Sequence, residues 1–489
     1  MKEEILINVS AHETRAALVE DGVLQEVIIE RANRRRLVGN IYKGKVTRVL
    51  PGIQAAFIEL GLERAGFLHA SEIALDSEKE SVDAGVDSNI YDSLKDGDEL
   101  IVQVLKDPLG TKGARLTTFI TLPSRYLVMM PNGEGVGVSS RINSNKERER
   151  LRQAVEGLIA VKSNKARYIV RTAAEEATLE ELEADILFLE KLWSSIKQDM
   201  PQANCGALVY EELPLEVRLL RDMLSSNIDR VRVDSEQTAN ILRDFADRFM
   251  LDISSTIEHY ISDAPIFDLY SIEEEIEKSL RREVPLKSGG YLILDQTEAM
   301  TTVDVNTGAY VGSSNLEETS LYTNLEAAEA IARQLRLRNL GGIIIIDFID
   351  MHEEKHCNQV FQTLSNCFTS DHAKTQIMNM SPLGLIEMTR KRNRESLEHI
   401  LCETCPSCMG RGYIKKPETV CYEIFREIMR QHKQYNFHEL LVLAKPEVIE
   451  MMIDKESTRV SELEEMTNSS IRLQSESFFS PNEFDVVLM

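Results

Sequence analysis

The sequence predicts a multidomain protein mixing α/β and α+β architecture, with a small β-barrel early in the chain and an α/β sheet beyond its middle. Three observations predict it. The first 120 residues carry short runs of alternating apolar and polar residues broken by glycine turns, which is the pattern of half-buried strands. Residues 121–280 mix such runs with segments of helical periodicity. Residues 281–400 place a helical segment between apolar strands, as in a strand–helix–strand crossover. At 489 residues the chain is too long for one core and long enough for several.

Residues 1–36 contain EILINVS, TRAALVE and LQEVIIE, three short strands with a turn at Asp21-Gly22. Three strands cannot close a core, so a partner from later in the chain is expected. Residues 37–120 remain β-like, and five short strands in this length predict a Greek-key barrel of the OB type. The segment LDSEKESVDAGVDSNIYDSLKDGD is acidic and aperiodic and is expected as a mobile loop. Residues 121–214 hold strand candidates in LPSRYLVMMP and ARYIVRT, and amphipathic helices in KERERLRQAVEGLI and TLEELEADILFLEKLWSSIK. Residues 215–280 read mostly as helix. One strand candidate there, NIDRVRVDS, would pair with residues 1–36 and make that domain discontinuous.

In residues 281–400, YLILDQTEAMTTVDVNT supplies two strands, and GGIIIIDFIDM supplies one so apolar that complete burial is expected. Between them NLEAAEAIARQLRLRN is a helix. Thr323 and Glu326 are spaced for a capping box, and Leu325, Ala328, Ile331, Ala332 and Leu335 form its buried stripe. Residues 401–414 hold a cysteine cluster, and residues 415–489 a helix followed by a small α/β tail.

The formal charge of −24 argues against a nucleic-acid partner, but net charge is a sum and phosphate binding is local. Arg31 to Arg48 carries seven basic residues and no acid, and Arg390, Lys391, Arg392 and Arg394 form a second basic cluster. The plain reading of both is solvated surface. No signal-peptide pattern opens the chain, and no apolar run approaches the roughly 20 residues that span a bilayer. Seven cysteines, four of them scattered, describe a reducing compartment, so the cytoplasm is expected.

Asp304 and Asn306 end one strand, and Asp347 ends the apolar one. On neighbouring parallel strands the two aspartates would meet at one rim, where open α/β sheets place their sites. Two converging carboxylates need a cation, and hard oxygen ligands without histidine favour Mg²⁺ or Mn²⁺. Such a pair suits phosphodiester hydrolysis; the plain alternative is two carboxylates capping the turns that follow.

In the barrel, Phe57 and Phe67 flank a glycine turn, with His69 on the face of Phe67 and Lys43 and Lys45 expected beside them. This is a platform on which bases could stack, with Lys112 adding charge for the backbone; otherwise both rings are core. Arg171 and Thr172 end the strand YIVRT before a helix expected near Glu175, a phosphate pocket or a surface salt bridge. Cys405 and Cys408 in CPSCMGRG form half a zinc knuckle, with Cys402 as a third ligand or the remainder supplied by a second copy of the chain.

GNIYKGKVTRVLPGIQAAFIELG, TTVDVNTG, NLEAAEAIARQLRLRNLGGIIIIDFIDM, GLIEMTRKR and the CPSC knuckle, in this order over nearly the whole chain, resemble the ribonuclease E/G family. The compact length and the CETCPSC–GRG spacing are similar to the family's branch without a long disordered tail. The resemblance implies an S1-type OB-fold (37–120) inserted in a discontinuous ribonuclease-H-like domain (1–36 and 215–280). It further implies a 5′-phosphate sensor (121–214), a DNase-I-like catalytic domain (281–400), a zinc link (401–414) and a small dimerisation domain (415–489).

The implied activity is magnesium-dependent endonucleolytic cleavage of single-stranded RNA, leaving 5′-phosphate and 3′-hydroxyl ends. Asp304 and Asp347 would hold the metal with Asn306 in support, and Phe57, Phe67 and Lys112 would grip RNA. Arg171 and Thr172 would bind a 5′-monophosphate, and Cys405 and Cys408 would share zinc in a homodimer or higher assembly. The cellular work implied is ribosomal RNA 5′-end maturation and messenger RNA turnover. Two positions depart from the family's longer branch: Lys374 replaces an arginine and Ser124 a glycine, which weakens the expected 5′-monophosphate preference. The competing class is a non-catalytic, zinc-linked RNA-binding scaffold; the absence of heptads and repeats counts against a filament.

Overall fold

The structure is a computed structural model that describes residues 2–33, 36–74, 90, 94–108, 113–142, 144–162, 166–223, 228–249, 254–308, 316–369, 371, 373–392 and 394–489. The chain divides into two compact units, residues 1–400 and 401–489.

The first unit opens with an antiparallel meander, β1 (Glu3–Val9), β2 (Glu13–Glu20) and β3 (Val23–Arg31). Its second turn, at Asp21-Gly22, takes φ 47° and 81°, the left-handed pair that a two-residue hairpin turn requires.

Five strands follow: β4 (Ile41–Leu50), β5 (Ala55–Glu59), β6 (Gly66–His69), β7 (Glu99–Lys106) and β8 (Arg115–Thr117). They run β4-β5-β6-β8-β7, and β4 also pairs with β7, which closes the barrel. Gly44 and Gly66 face its packed interior, where a Cβ would collide with Ile58 and Leu116. Most of the acidic loop expected here lies outside the described residues.

Next come β9 (Leu122–Pro123), β10 (Leu127–Met130), β11 (Val136–Val138), α1 (Asn145–Lys162), β12 (Arg167–Val170), α2 (Leu179–Asp199) and β13 (Leu208–Tyr210). Strands β9 to β12 form one sheet with the helices on it, whereas β13 leaves that sheet and joins β4 of the barrel. Thr178 caps α2 in a full capping box with Glu181. The helix expected near Glu175 therefore begins at Leu179. A 3₁₀ turn, Thr172–Ala174, stands in between.

After α3 (Leu215–Met223), β14 (Ile228–Val233) lies parallel to β1, followed by α4 (Glu236–Phe249), β15 (Ile257–His259) and α5 (Ile272–Ser279). The N-terminal strands thus gain β14 and β15, in the order β15-β14-β1-β2-β3, and bury Ile5, Ile7, Val231 and Val233 against Leu219, Leu220, Leu242 and Ala246.

The last sheet of this unit has β16 (Glu283–Pro285), β17 (Tyr291–Gln296), β18 (Met300–Asn306), then α6 (Leu316–Leu337), β19 (Gly342–Asp347), α7 (Glu354–Cys367), β20 (Lys374–Ile377) and β21 (Leu385–Lys391), with strand order β16-β17-β18-β19-β21-β20. Helices α6 and α7 cover one face, packing Ala328, Ile331, Leu335, Val360 and Leu364 on Val303, Val305, Ile344 and Ile346.

Two expectations change here. The apolar strand is buried on one side only: Ile344 and Ile346 are fully buried, while Ile343 on the other face is 48% exposed. Nor do Thr323 and Glu326 cap a helix. They lie inside α6, where Thr323 Oγ1 donates to the Thr319 carbonyl at 2.9 Å. The Glu326 carboxylate instead receives the Lys287 and Ser288 N–H groups. Leu321, upstream of the expected cap, packs against the same core as the rest of the helical stripe, and this packing overrides the capping signal.

In the second unit β22 (Glu439–Ala444) pairs parallel with β23 (Ser470–Ser475) and antiparallel with β24 (Phe484–Leu488). The long helix Pro417–Gln434 and the shorter Pro446–Asp454 and Ser457–Thr467 build its core with Leu440 and Val442.

Candidate active site and RNA-binding surfaces

Strands β18 and β19 run parallel in continuous register from Met300↔Ile343 to Asp304↔Asp347. The period of two sends Val303, Val305, Ile344 and Ile346 to the helices and leaves both aspartates exposed on the open face. Adjacent strands lie about 4.8 Å apart, so side chains in register on one face are direct neighbours. Asn306 Nδ2 donates to Asp304 Oδ2 at 3.0 Å and orients that carboxylate. Desolvation, then the charges of Asp304 and Asp350, push the Asp347 carboxyl above its usual range. Asp350 was not anticipated as a contributor; its only signal was its place three residues on in IDFIDM.

No three His, Cys, Asp or Glu side chains gather to hold a metal among the described residues. A two-carboxylate donor set still suits Mg²⁺, which keeps several waters and binds through one or two carboxylates. The mutual repulsion around Asp347 is the feature a cation would relieve.

On the barrel, Phe57 and Phe67 are cross-strand partners, with ring centroids 6.1 Å apart in an edge-to-face contact. Both are half-buried and neither is core. Lys43 is tied to Glu99 at 3.2 Å, as Arg115 is to Glu72, whereas Lys45 lies opposite Glu59, two residues from Phe57 on the same face. A β-bulge near Thr47 shifts the register and brings Arg48 opposite Phe57. Arg115 stands opposite Phe67, and Lys106 opposite Arg115. The result is one row across the sheet, Arg48–Phe57–Phe67–Arg115–Lys106. Reading the sequence without its register missed these three basic residues. His69 extends the Phe67 face but is held by Ser71 at 2.8 Å. Lys112 lies outside the described residues.

Arg171 follows β12, and its guanidinium donates to the Ser124 carbonyl at 2.5 Å while pairing with Asp222 at 3.0 Å. The salt bridge that was the plain alternative is present, and Thr172 beside it is exposed. Ser124 is buried and bonded to Asp185, which also accepts the Tyr126 and Leu127 N–H groups at 3.0 Å each. Arg171 and Thr172 open into a cleft of about 2230 Å³. Lys374 is exposed on β20, opposite Lys391. The basic cluster around it is not uniformly solvated: Arg390 is buried and paired with Asp371 at 2.7 Å.

In the second unit Cys405 and Cys408 bracket a tight turn completed by Met409, Gly410 and Gly412 at positive φ. The backbone N–H groups of Cys408 and then Ser407 point at the Cys405 sulfur and lower its thiol from the ordinary value. That is the donor chemistry of half a tetrahedral zinc set. Cys402 is exposed and adds no third ligand, since no three candidate ligands gather among the described residues.

No helix among the described residues is long and apolar enough to cross a membrane. The family model of the ribonuclease E/G family matches residues 121–393, that of the S1 RNA binding domain residues 37–118, and that of the RNase E/G thioredoxin-like domain residues 404–488. Ribonuclease G of Salmonella typhimurium (strain SL1344) is 51% identical over 492 residues, and ribonuclease G of Escherichia coli (strain K12) 50%, each covering 100% of both chains. Ribonuclease E of Escherichia coli (strain K12) is 37% identical over 465 residues, covering 95% of this chain and 44% of that protein. With a family model spanning both register-paired aspartates and full-length relatives at half identity, the chain belongs to the ribonuclease E/G family, and its likeness to the ribonuclease G members runs from end to end.

Proposed function

We propose that this chain is an endoribonuclease that hydrolyses phosphodiester bonds in single-stranded RNA, leaving 5′-phosphate and 3′-hydroxyl ends. The observation that carries the reading is the in-register pair Asp304↔Asp347 on the open face of the sheet. These two residues would hold a magnesium ion, with manganese as a substitute; such an ion supplies an activated water and neutralises charge on the phosphoryl group. The chain's own contribution is positional. Asn306 fixes the Asp304 carboxylate, and the buried valines and isoleucines between the acids and the helices keep both backbones rigid. The sheet is read as a DNase-I-like catalytic domain and the β1–β3/β14–β15 sheet as a structural, ribonuclease-H-like one.

RNA is held on the barrel by stacking on Phe57 and Phe67 between Arg48 and Arg115, with Lys112 contributing charge. Arg171 and Thr172 receive a 5′-monophosphate and favour substrates that carry one; the phosphate takes the place of Asp222 on the guanidinium. Zinc bound by Cys405 and Cys408 of two copies links a cytoplasmic homodimer. The cellular substrates are ribosomal RNA precursors and messenger RNA.

The test is cleavage of an unstructured RNA by full-length protein with and without Mg²⁺, alongside Asp304→Asn and Asp347→Asn. Cleavage that needs Mg²⁺ and is lost in both variants while RNA still binds supports the reading. Undiminished cleavage in either variant overturns it.

A further inference from the structure

The cleft that contains Arg171 and Thr172 is far larger than one phosphate needs. At about 2230 Å³ it exceeds the roughly 300–1,000 Å³ of an ordinary small-ligand pocket. Part of its wall is a cluster of guanidiniums contributed by three stretches of chain: Arg36, Arg218 and Arg394. Two of the three are satisfied, Arg218 by Glu30 at 2.6 Å and Arg394 by Glu26.

Arg36 is the least satisfied of the three. Its Nε is buried without a hydrogen bond, and the nearest carboxylate, Asp107, stands 3.9 Å away. Burial, then the neighbouring Arg218, hold its guanidinium below the ordinary arginine value. Arg392 lines the same cleft, half-buried, with no ion pair or hydrogen bond among the described residues. A buried guanidinium nitrogen without an acceptor is costly unless an anion completes it. A buried guanidinium nitrogen without a hydrogen bond on Arg36 and an unpaired Arg392 thus leave donors in one cleft that an oxyanion from outside the chain can complete.

We infer that Arg36 and Arg392 make up a second phosphate subsite, which takes internal phosphodiesters of the RNA strand whose 5′ end lies at Arg171 and Thr172. The assignment rests on the 5′-end reading above for the strand's orientation, though not for the subsite's existence. Each internal phosphodiester offers two unesterified oxygens, acceptors for Nε of Arg36 or for the terminal nitrogens of Arg392. The cleft then measures the first few nucleotides of a substrate as well as its terminal phosphate.

The experiment measures binding of 2′-O-methylated oligoadenylates of one, two and four nucleotides, each with a 5′-monophosphate or a 5′-hydroxyl, to the full chain at several salt concentrations. The expected result is that affinity rises roughly tenfold from one to four nucleotides, a size typical of one charge-assisted contact. Arg392→Ala and Arg36→Gln each remove most of that rise and reduce the salt slope for the tetranucleotide by about 0.7, leaving the mononucleotide unaffected. Arg392→Lys restores the salt slope, which a purely structural role would not predict. Arg392 has no ion pair to lose, so its variants keep the fold if Arg36→Gln does not. A length gain that survives Arg392→Ala and Arg36→Gln overturns the subsite. A loss of the gain with 5′-hydroxyl strands too supports it even if Arg171→Ala proves the terminal-phosphate reading wrong.

Discussion

Asp304 and Asp347 are register partners across β18 and β19, forty-three positions apart in sequence and side by side on an open sheet face. Their proximity is electrostatically unfavourable and the fold holds it regardless, since each aspartate sits between residues buried against α6 and α7. Asp304→Asn or Asp347→Asn is expected to lower the cleavage rate by at least about a hundredfold, the scale of losing a group that stabilises developing charge. RNA affinity should stay within about twofold. Removing a repulsive charge also predicts unchanged or slightly raised thermal stability for Asp347→Asn. Single-turnover kinetics beside a melting curve checks both, and a variant that melts early would mean that the loss of cleavage reflects unfolding.

The row Arg48–Phe57–Phe67–Arg115 gives the barrel a stacking platform whose rings are half-buried. Phe57→Ala and Phe67→Ala should each weaken single-stranded RNA binding by about 1–3 kcal/mol, the range for one stacked base. Loss of stability should fall short of the roughly 3–5 kcal/mol of a core phenylalanine. Arg48→Ala should mainly flatten the salt dependence of binding. A large fall in melting temperature with RNA affinity intact would return both rings to the core.

What was legible beforehand depended on whether the signal was local. The two-residue turn at Asp21-Gly22 and the alternation around Phe57 are local, and each could be read from a few neighbours. The capping box at Thr178 and Glu181 is just as local, and passing over it put the expected helix start near Glu175. The pairing of aspartates was legible because both close strongly patterned strands. By contrast Arg48 reaches Phe57 only through a bulge, and Arg390 is buried only because Asp371 lies beside it on the folded chain. Neither bulge nor buried ion pair has a sequence signature. Thr323 and Glu326 mislead for the opposite reason: a genuine local capping pattern is overruled by helical packing that begins upstream.

Asp185 supports the Ser124–Leu127 turn from which Arg171 is hung. Asp185→Ala strands the buried Tyr126 and Leu127 N–H groups, while the Ser124 hydroxyl keeps the Leu127 carbonyl at 3.0 Å, and should cost about 2–4 kcal/mol. Burial raises the Asp185 pKa above its usual value, so the folded state binds the proton more tightly than the unfolded one. Its contribution to stability is present in full below the ordinary carboxyl pKa of 3.8 and is lost as pH rises through the higher folded value. Asp185→Asn, which resembles the neutral form, should therefore cost less at pH 7 than Asp185→Ala. Its deficit relative to wild type should grow as the pH is lowered. Chemical denaturation of the three proteins at pH 7 and pH 4.5 measures this; equal costs for Asn and Ala would remove Asp185 as the organiser of the turn.

Arg171 is already engaged by Asp222, so a 5′-phosphate must compete with a carboxylate for the same guanidinium. Arg171→Ala should bring the ratio of cleavage rates for 5′-monophosphorylated and 5′-hydroxyl substrates close to one, with the 5′-hydroxyl rate itself little changed. Arg171→Lys should recover part of the ratio and no more, because an ammonium lacks the bidentate fork. Parallel rate measurements on the two RNAs decide it. A wild-type ratio of one would show that Asp222 keeps the guanidinium and that the 5′ end is not read.

Cys405 and Cys408 present two sulfurs from one turn, and a structural zinc takes four ligands. No third candidate gathers beside them among the described residues, so the proposed shared site would take an equal contribution from a second copy. Zinc affinity then becomes association energy, on the order of 10–16 kcal/mol for a full structural site in model peptides. Chelation, or Cys405→Ser, should convert a dimer to a monomer in light scattering, with one zinc released per two chains. The Pro417–Gln434 helix and the sheet around β22 bury their own core without the turn, so the circular dichroism of that unit should survive. No third ligand stands beside them among the described residues, so a stoichiometry of one zinc per chain would overturn the shared site.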